Sequence, residues 1–288
     1  MKIKSTAQLF GVGLGTVLGS LALISAPAFS ATLINEGSDE TAFKTKYDIT
    51  RIGEVECKAG RGRSAENCAF GIEGASADVQ DSLLFTWENG REYDYTLTWN
   101  PITNEADFTF FALKNPDHTS DSERLLNYTF ASTEFDNFNA FGLITKVDTT
   151  NSNMVDGNTT ITLGVNTVEF VNSSNNSVLS PQTLNTSVSS TSLDNSGQVF
   201  NKLFYIINDD DRADGVEIGK MTGTFSLNWS TINPQEKNAN ARVSFELKLF
   251  DPPGTSSTVT TPEPTTILGL LGVGTLGLVG RKRKIETK

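Results

Sequence analysis

Histidine is almost missing from this chain. His118, in Asn115-Pro116-Asp117-His118, is the only one among 288 residues. A Ser-His-Asp triad would have to be built on it, yet no Gly-x-Ser-x-Gly elbow exists to present the serine. The residue reads as an exposed loop side chain. Cysteine is nearly as scarce. Cys57 and Cys68 cannot make a structural zinc site, which takes four ligands, and no histidine lies near them. Basic residues number 23 against 34 acidic. Setting aside Lys2 and Lys4 at the start, and Glu263, Glu286 and the five basic residues from Arg281 to Lys288 at the end, leaves 16 basic and 32 acidic, a net charge near −16. Charge of that sign argues against nucleic acid as a partner and against anionic lipid surfaces; it suits a solvated exported domain or one that gathers cations. Outside the two ends, no long segment keeps a helical period.

The ends are of a different kind. Residues 1–30 run from Lys2 and Lys4 through an apolar stretch, Leu9 to Ile24, to Ala26-Pro27-Ala28-Phe29-Ser30-Ala31. That is the order of a secretory signal peptide, with cleavage after Ala28 or Ser30. At the other end, residues 265–280 carry no charge and are followed by Arg281-Lys282-Arg283-Lys284. As a helix the uncharged stretch reaches about 24 Å, short of the roughly 30 Å hydrocarbon core by an amount that thinning and basic side chains at the interface can absorb. The basic stop belongs in the cytoplasm, which puts everything before Thr265 on the far side of the inner membrane. Gly272-Val273-Gly274-Thr275-Leu276-Gly277 matches a dinucleotide fingerprint in letters only, for it has no strand before it and no room for a βαβ unit after it. The chain thus divides into a signal (1–30), an ectodomain (31–254), a Ser/Thr spacer (255–261) and a tail (262–288) with a transmembrane helix over 265–280.

Pro262-Glu263-Pro264, the glycine-rich apolar segment and the basic cluster stand in a specific order. This tail resembles the PEP-CTERM sorting signal of Gram-negative bacteria, with Thr261 where valine is usual. The resemblance implies an exosortase, a membrane-embedded cysteine transpeptidase, as the partner. It also implies cutting near the proline motif, and a protein that ends at the cell surface or in the matrix, in association with exopolysaccharide. Proline at 262 and 264 keeps the membrane helix from extending through the cut site.

Between the ends the pattern is β. Tyr93-Asp94-Tyr95-Thr96-Leu97-Thr98-Trp99 alternates, with the aromatics and Leu97 on one face. Leu83 to Trp87 reads as a preceding strand and Asn89-Gly90 as the hairpin turn between them. Further strands are expected at 108–113, 126–130, 140–147, 159–171, 199–207, 222–229 and 242–250. Ser120 and Glu123 have capping-box spacing for one helical turn, 120–126. Ser173 to Ser177 and Thr186 to Ser196, almost without apolar residues, read as long mobile loops or as a linker inserted between two sets of strands. Many short strands between Gly, Asn, Asp and Pro turns predict an all-β, jelly-roll-like β-sandwich ectodomain. About 230 residues suffice for one such core. The texture of Leu83 to Phe111 resembles the choice-of-anchor modules of bacterial surface proteins.

In an exported domain Cys57 and Cys68 are expected to form a disulfide. The densest acidic cluster, Asp209, Asp210, Asp211 and Asp214, supplies oxygens of the kind calcium takes, although EF-hand spacing fails: Arg212 falls at the third position and Met221 at the twelfth. A solvated turn is the other reading of the same residues. No other cofactor and no catalytic residue is indicated. Two function classes stay open. One is a non-enzymatic surface or matrix protein with affinity for polysaccharide. The other is a secreted polysaccharide-active hydrolase or carbohydrate-binding module, since paired carboxylates leave no short motif.

Overall fold

The computed structural model describes residues 31–49, 52–59, 67–72, 79–113, 121–130, 137–150, 155, 158–192, 197–237 and 242–251. The signal, the spacer, the sorting tail with the transmembrane helix expected over 265–280 and the basic stop, and His118 lie outside the described residues. Among the described residues no helix is long and apolar enough to cross a membrane.

Among the described residues, thirteen strands and two short helices follow in the order β1 (Leu33–Gly37), α1 (Glu40–Tyr47), β2 (Ile52–Lys58), β3 (Cys68–Ile72), β4 (Val79–Leu83), β5 (Glu92–Asn100), β6 (Glu105–Leu113), β7 (Asp121–Thr129), β8 (Ala140–Asp148), β9 (Thr160–Asn172), β10 (Gln182–Thr191), β11 (Gln198–Ile207), α2 (Asp209–Ala213), β12 (Val216–Asn228) and β13 (Val243–Phe250). They form two antiparallel sheets. One has seven strands in the order β1-β11-β8-β13-β2-β3-β4; the other has six, β10-β9-β12-β5-β6-β7. Period-two alternation decides which side chains meet. On β5, Tyr93, Tyr95, Leu97 and Trp99 are buried while Glu92 and Asp94 are exposed. Apolar side chains of both sheets share one core. Phe225 of β12 lies 5.1 Å from Tyr93 and 5.2 Å from Phe110 within its own sheet, and 4.8 Å from Phe245 of the other sheet, centroid to centroid. Phe70 of β3 and Tyr128 of β7 join the sheets again at 5.5 Å.

Several elements depart from the sequence expectation. Asn89-Gly90 does turn the chain, with Gly90 at φ 75°, but it closes no hairpin. β4 pairs with β3, whereas β5 pairs with β12 and β6, so the turn carries the chain from one sheet to the other. The Asn89 side chain explains why: its Nδ2 donates to Trp229 O (2.8 Å) and its Oδ1 accepts from Trp229 N (2.9 Å), tying the turn to the end of β12. The expected helical turn after Ser120 is strand β7 from Asp121 onward. There Arg124, Leu126 and Tyr128 alternate inward and a helix would scatter them. The serine- and threonine-rich stretch is strand β10 up to Thr191, not a loop. Hydroxyl pairs replace apolar contacts: Thr160 with Thr191 at 2.9 Å, Thr162 with Ser189 at 3.0 Å, and buried Ser190 with Thr145 of the other sheet at 2.9 Å. Ser173 to Ser177 forms a tight turn closed by Asn172 N donating to Ser177 O at 3.0 Å.

Helix α1 was not expected. Asp39 caps it, accepting from Thr41 N and Ala42 N. It places Phe43 on the outward side of the seven-stranded sheet, 5.0 Å from Phe204 and 5.1 Å from Phe250, making a second small core. Beside it Glu40 accepts from Lys248 at 3.1 Å and Lys202 at 2.9 Å. Burial pushes the Glu40 carboxyl up, but hydrogen bonds from Lys202, Lys44 and Lys248 outweigh it and hold the group at about 2.

Cys57 on β2 and Cys68 on β3 are cross-strand partners and are disulfide-bonded, both buried. Closing a loop of this length removes unfolded-state entropy that amounts to about 3 kcal/mol. The double variant Cys57→Ala/Cys68→Ala is expected to lose stability of that order in urea melts of oxidised protein. A midpoint unchanged from wild type would contradict it.

Candidate functional site

The outward face of the six-stranded sheet carries a cleft of about 330 Å³. Cross-strand register builds its floor. Glu169 of β9 stands opposite Lys220 of β12, Lys220 opposite Thr98 of β5, and Thr98 opposite Asp107 of β6. Asn100 and Glu105 form the next rung. The β9–β12 register shifts between Ile218 and Lys220, and Gly219 is the extra residue. A β-carbon there would lie 2.3 Å from Val171 Cγ1, so only glycine lets the two strands close at this point. Beyond the bulge, Asn176, at φ 53°, and Val178, 65% exposed, form the wall.

The polar groups of the cleft are partly committed. Asp107 Oδ1 accepts from Asn127 Nδ2 (2.6 Å), Glu105 Oε2 from Thr103 Oγ1 (3.0 Å) and Asn100 Oδ1 from Ile102 N (3.0 Å). Lys220 and Glu169 face each other across the strands but form no ion pair among the described residues. Their charged ends are therefore open to a ligand. Carboxylates that accept two hydrogen bonds, an amide that donates and accepts, a hydroxyl and one ammonium can together satisfy several vicinal hydroxyl groups.

The four acidic residues near residue 210 sit elsewhere, and the carboxylates of Asp209 and Asp211 have structural partners. Asn208 caps α2 by accepting from Asp211 N at 2.9 Å. Asp211 Oδ2 accepts from Thr32 N (2.9 Å) and from Asn208 Nδ2, so it ties the start of β1 to this turn. Asp209 pairs with the buried Arg212 guanidinium, and Asp214 ends the helix, its N–H directed to Arg212 O and Asp210 O. Among the described residues no group of three or more His, Cys, Asp or Glu is placed to hold a metal ion.

One functional-looking group escaped the sequence reading. Glu217 is buried just below the cleft. Its Oε2 accepts from Trp99 Nε1 at 2.6 Å and Phe138 N at 3.3 Å. Burial pushes its carboxyl up to about 7 despite those two donors, and the charge of Asp251 adds to the rise. The available signal was a lone glutamate in the apolar run Val216-Glu217-Ile218. A carboxyl whose folded value exceeds its unfolded one binds its proton more tightly when folded. Its contribution is complete below about pH 4.5 and is lost as pH rises to about 7, at about 1.4 kcal/mol per unit. Glu217→Gln keeps the shape and removes the titration. Its melting temperature is expected to exceed wild type at about pH 8 and to match it near pH 5. Parallel pH profiles for the two proteins would contradict this.

No curated protein matches the chain. A family model does match at its end: residues 260–284 fit the PEP-CTERM protein-sorting motif. The matched span holds Pro262-Glu263-Pro264, the apolar segment and all four residues of the basic stop. The motif is the handle of the exosortase and secretion machinery, which takes a membrane-anchored precursor and delivers it to the cell surface or beyond. The chain is therefore an exported protein that carries the PEP-CTERM protein-sorting motif at residues 260–284 and is handled as an exosortase substrate.

Proposed function

We propose that this is a non-enzymatic surface or extracellular-matrix protein whose ectodomain, over residues 31–254, is a jelly-roll-like β-sandwich that associates with exopolysaccharide. On this reading the spacer 255–261 separates the domain from the membrane segment 265–280 during sorting. The cleft on the six-stranded sheet is the polysaccharide site. The single observation that carries it is the cross-strand juxtaposition of Lys220 and Glu169, which form no ion pair with each other, in a concave polar floor with Asp107, Thr98 and Asn100. Seven acidic side chains stand outward on β5, β6, β7 and β9, namely Glu92, Asp94, Glu105, Asp107, Asp121, Glu123 and Glu169. Their field repels polyanions, so the cleft favours neutral sugar units.

The hydrolase alternative draws on the same cleft, because Glu105, Asp107 and Glu169 put several carboxylates within one concavity. One experiment treats both. The exported protein is titrated with neutral polysaccharide, dextran for example, while release of new reducing ends is followed. Binding without release is expected, and Lys220→Ala and Asp107→Ala are each expected to weaken it about tenfold. Absence of binding, or binding indifferent to both substitutions, would overturn the cleft assignment. Steady release of reducing ends would favour the hydrolase.

A further inference from the structure

The outward face of the other sheet carries a different surface. Phe200 of β11 is 44% exposed. Lys146 of β8 is its direct cross-strand partner, and the Lys146 ammonium lies 5.4 Å from the ring centroid. Lys202, two residues along β11 and so on the same face, places its ammonium 5.8 Å from the same centroid. The two cations differ in one respect. Lys202 shares its charge with Glu40 at 2.9 Å. Lys146 has no direct ion-pair partner among the described residues, although its charge acts on Asp148 two residues along β8. β1 covers β11 only from Phe204 onward, so the Phe200 end of the strand is left open by it.

An exposed ring between two ammonium groups is unusual in a domain with twice as many acidic as basic residues. It is too small for a protein partner, whose stable interface needs on the order of 1,000 Å². It matches one sugar unit well. The C–H face of a pyranose can lie on the aromatic ring while a carboxylate on the sugar accepts hydrogen bonds from the ammonium groups. Elsewhere the acidic field would repel such a ligand; here it meets two ammonium groups beside one ring, and that of Lys146 is engaged in no direct ion pair among the described residues. We infer that the Phe200–Lys146–Lys202 surface is a second carbohydrate site, which binds carboxylated sugar units of an acidic polysaccharide. It is separate from the cleft in place and in charge preference. With one site on the outward face of each sheet, a single domain could hold two chains, and linked sites of this kind gain avidity without any new contact.

The test uses the exported protein and polygalacturonate as the acidic probe, with dextran as the neutral one. Polygalacturonate is expected to bind, and to lose at least about tenfold in affinity between about 0.05 M and about 0.5 M salt. Phe200→Ala and Lys146→Glu are each expected to weaken it by about tenfold or more, while Phe200→Tyr retains binding. Both weakening variants should keep the wild-type fold by circular dichroism, since Phe200 is exposed and Lys146 half-buried on the outward face. The inference is overturned if polygalacturonate does not bind, if the variants bind it as wild type does, or if its methyl ester binds equally well. It is also overturned if the variants change the sedimentation of the protein instead, because the surface would then join copies of the chain. Dextran binding reports on the cleft alone. Its loss with polygalacturonate binding intact would sink the cleft and leave this site standing.

Discussion

The packing of Phe225 is the contact on which the rest of this domain depends. Its ring meets Tyr93 and Phe110 in its own sheet and Phe245 and Trp87 from outside it, and it is fully buried. A buried phenylalanine of this kind contributes about 3 to 5 kcal/mol relative to alanine. Its greater consequence is registration. A strand slipped by one residue would turn Phe225 outward and bring Thr224 or Ser226 in. Fixing that ring therefore fixes the outward set of β12, and with it Lys220, Thr222 and Thr224. Gly223, on the inward set, takes the closest approach of all. A β-carbon there would lie 2.0 Å from Gly164 O, where the Tyr95 hydroxyl also donates at 3.0 Å.

Because the inward faces are apolar, function is left to the outward ones, and these are not alike. The six-stranded sheet presents carboxylates and threonines, with Lys220 as the cation of its cleft. The seven-stranded sheet is partly roofed by α1. Lys202 and Lys248 compensate Glu40 and Lys58 pairs with Glu56, whereas Lys146 stands beside Phe200 without a direct ion pair among the described residues. Two irregularities give the flat faces their shape. The Gly219 bulge sinks a cleft into one sheet. On the other, α1 and the end of β1 stop short of Phe200 and leave its ring open. The buried Glu217 carboxyl accepts from Trp99, which also lines the cleft, and burial pushes it up to about 7.

Much of this was legible in the chain, and the rest was hidden for definite reasons. Strands such as Tyr93–Trp99 and Phe245–Leu249 announce themselves because alternation follows directly from having one buried face. Strand partners do not. The turn at Asn89-Gly90 has the letters of a hairpin, and only its distant bonds to Trp229 send the chain into the other sheet. β10 is invisible to an apolar pattern because its cross-strand contacts are hydroxyl to hydroxyl. In α1 only Phe43 is buried, too little to show a helical period. The cleft escaped because its residues come from four strands and its depth from a single inserted glycine. The PEP-CTERM motif is legible because such a signal is local: a proline break, an apolar run and a basic stop in sequence order. The acidic cluster is conspicuous in composition, and its partners are not: in the fold Asp209 and Asp211 serve Arg212, Thr32 and Asn208.

Everything proposed for the two faces presupposes that this domain is displayed outside the cell after its membrane segment has been removed. The intact mass of the protein recovered from the cell surface tests that most directly. Processing at both ends predicts a chain that starts at Phe29 or Ala31 and finishes near Pro262, without residues 267–288. A mass that extends through Lys288 would contradict it, and would make the protein a permanently anchored one that the sorting machinery leaves uncut.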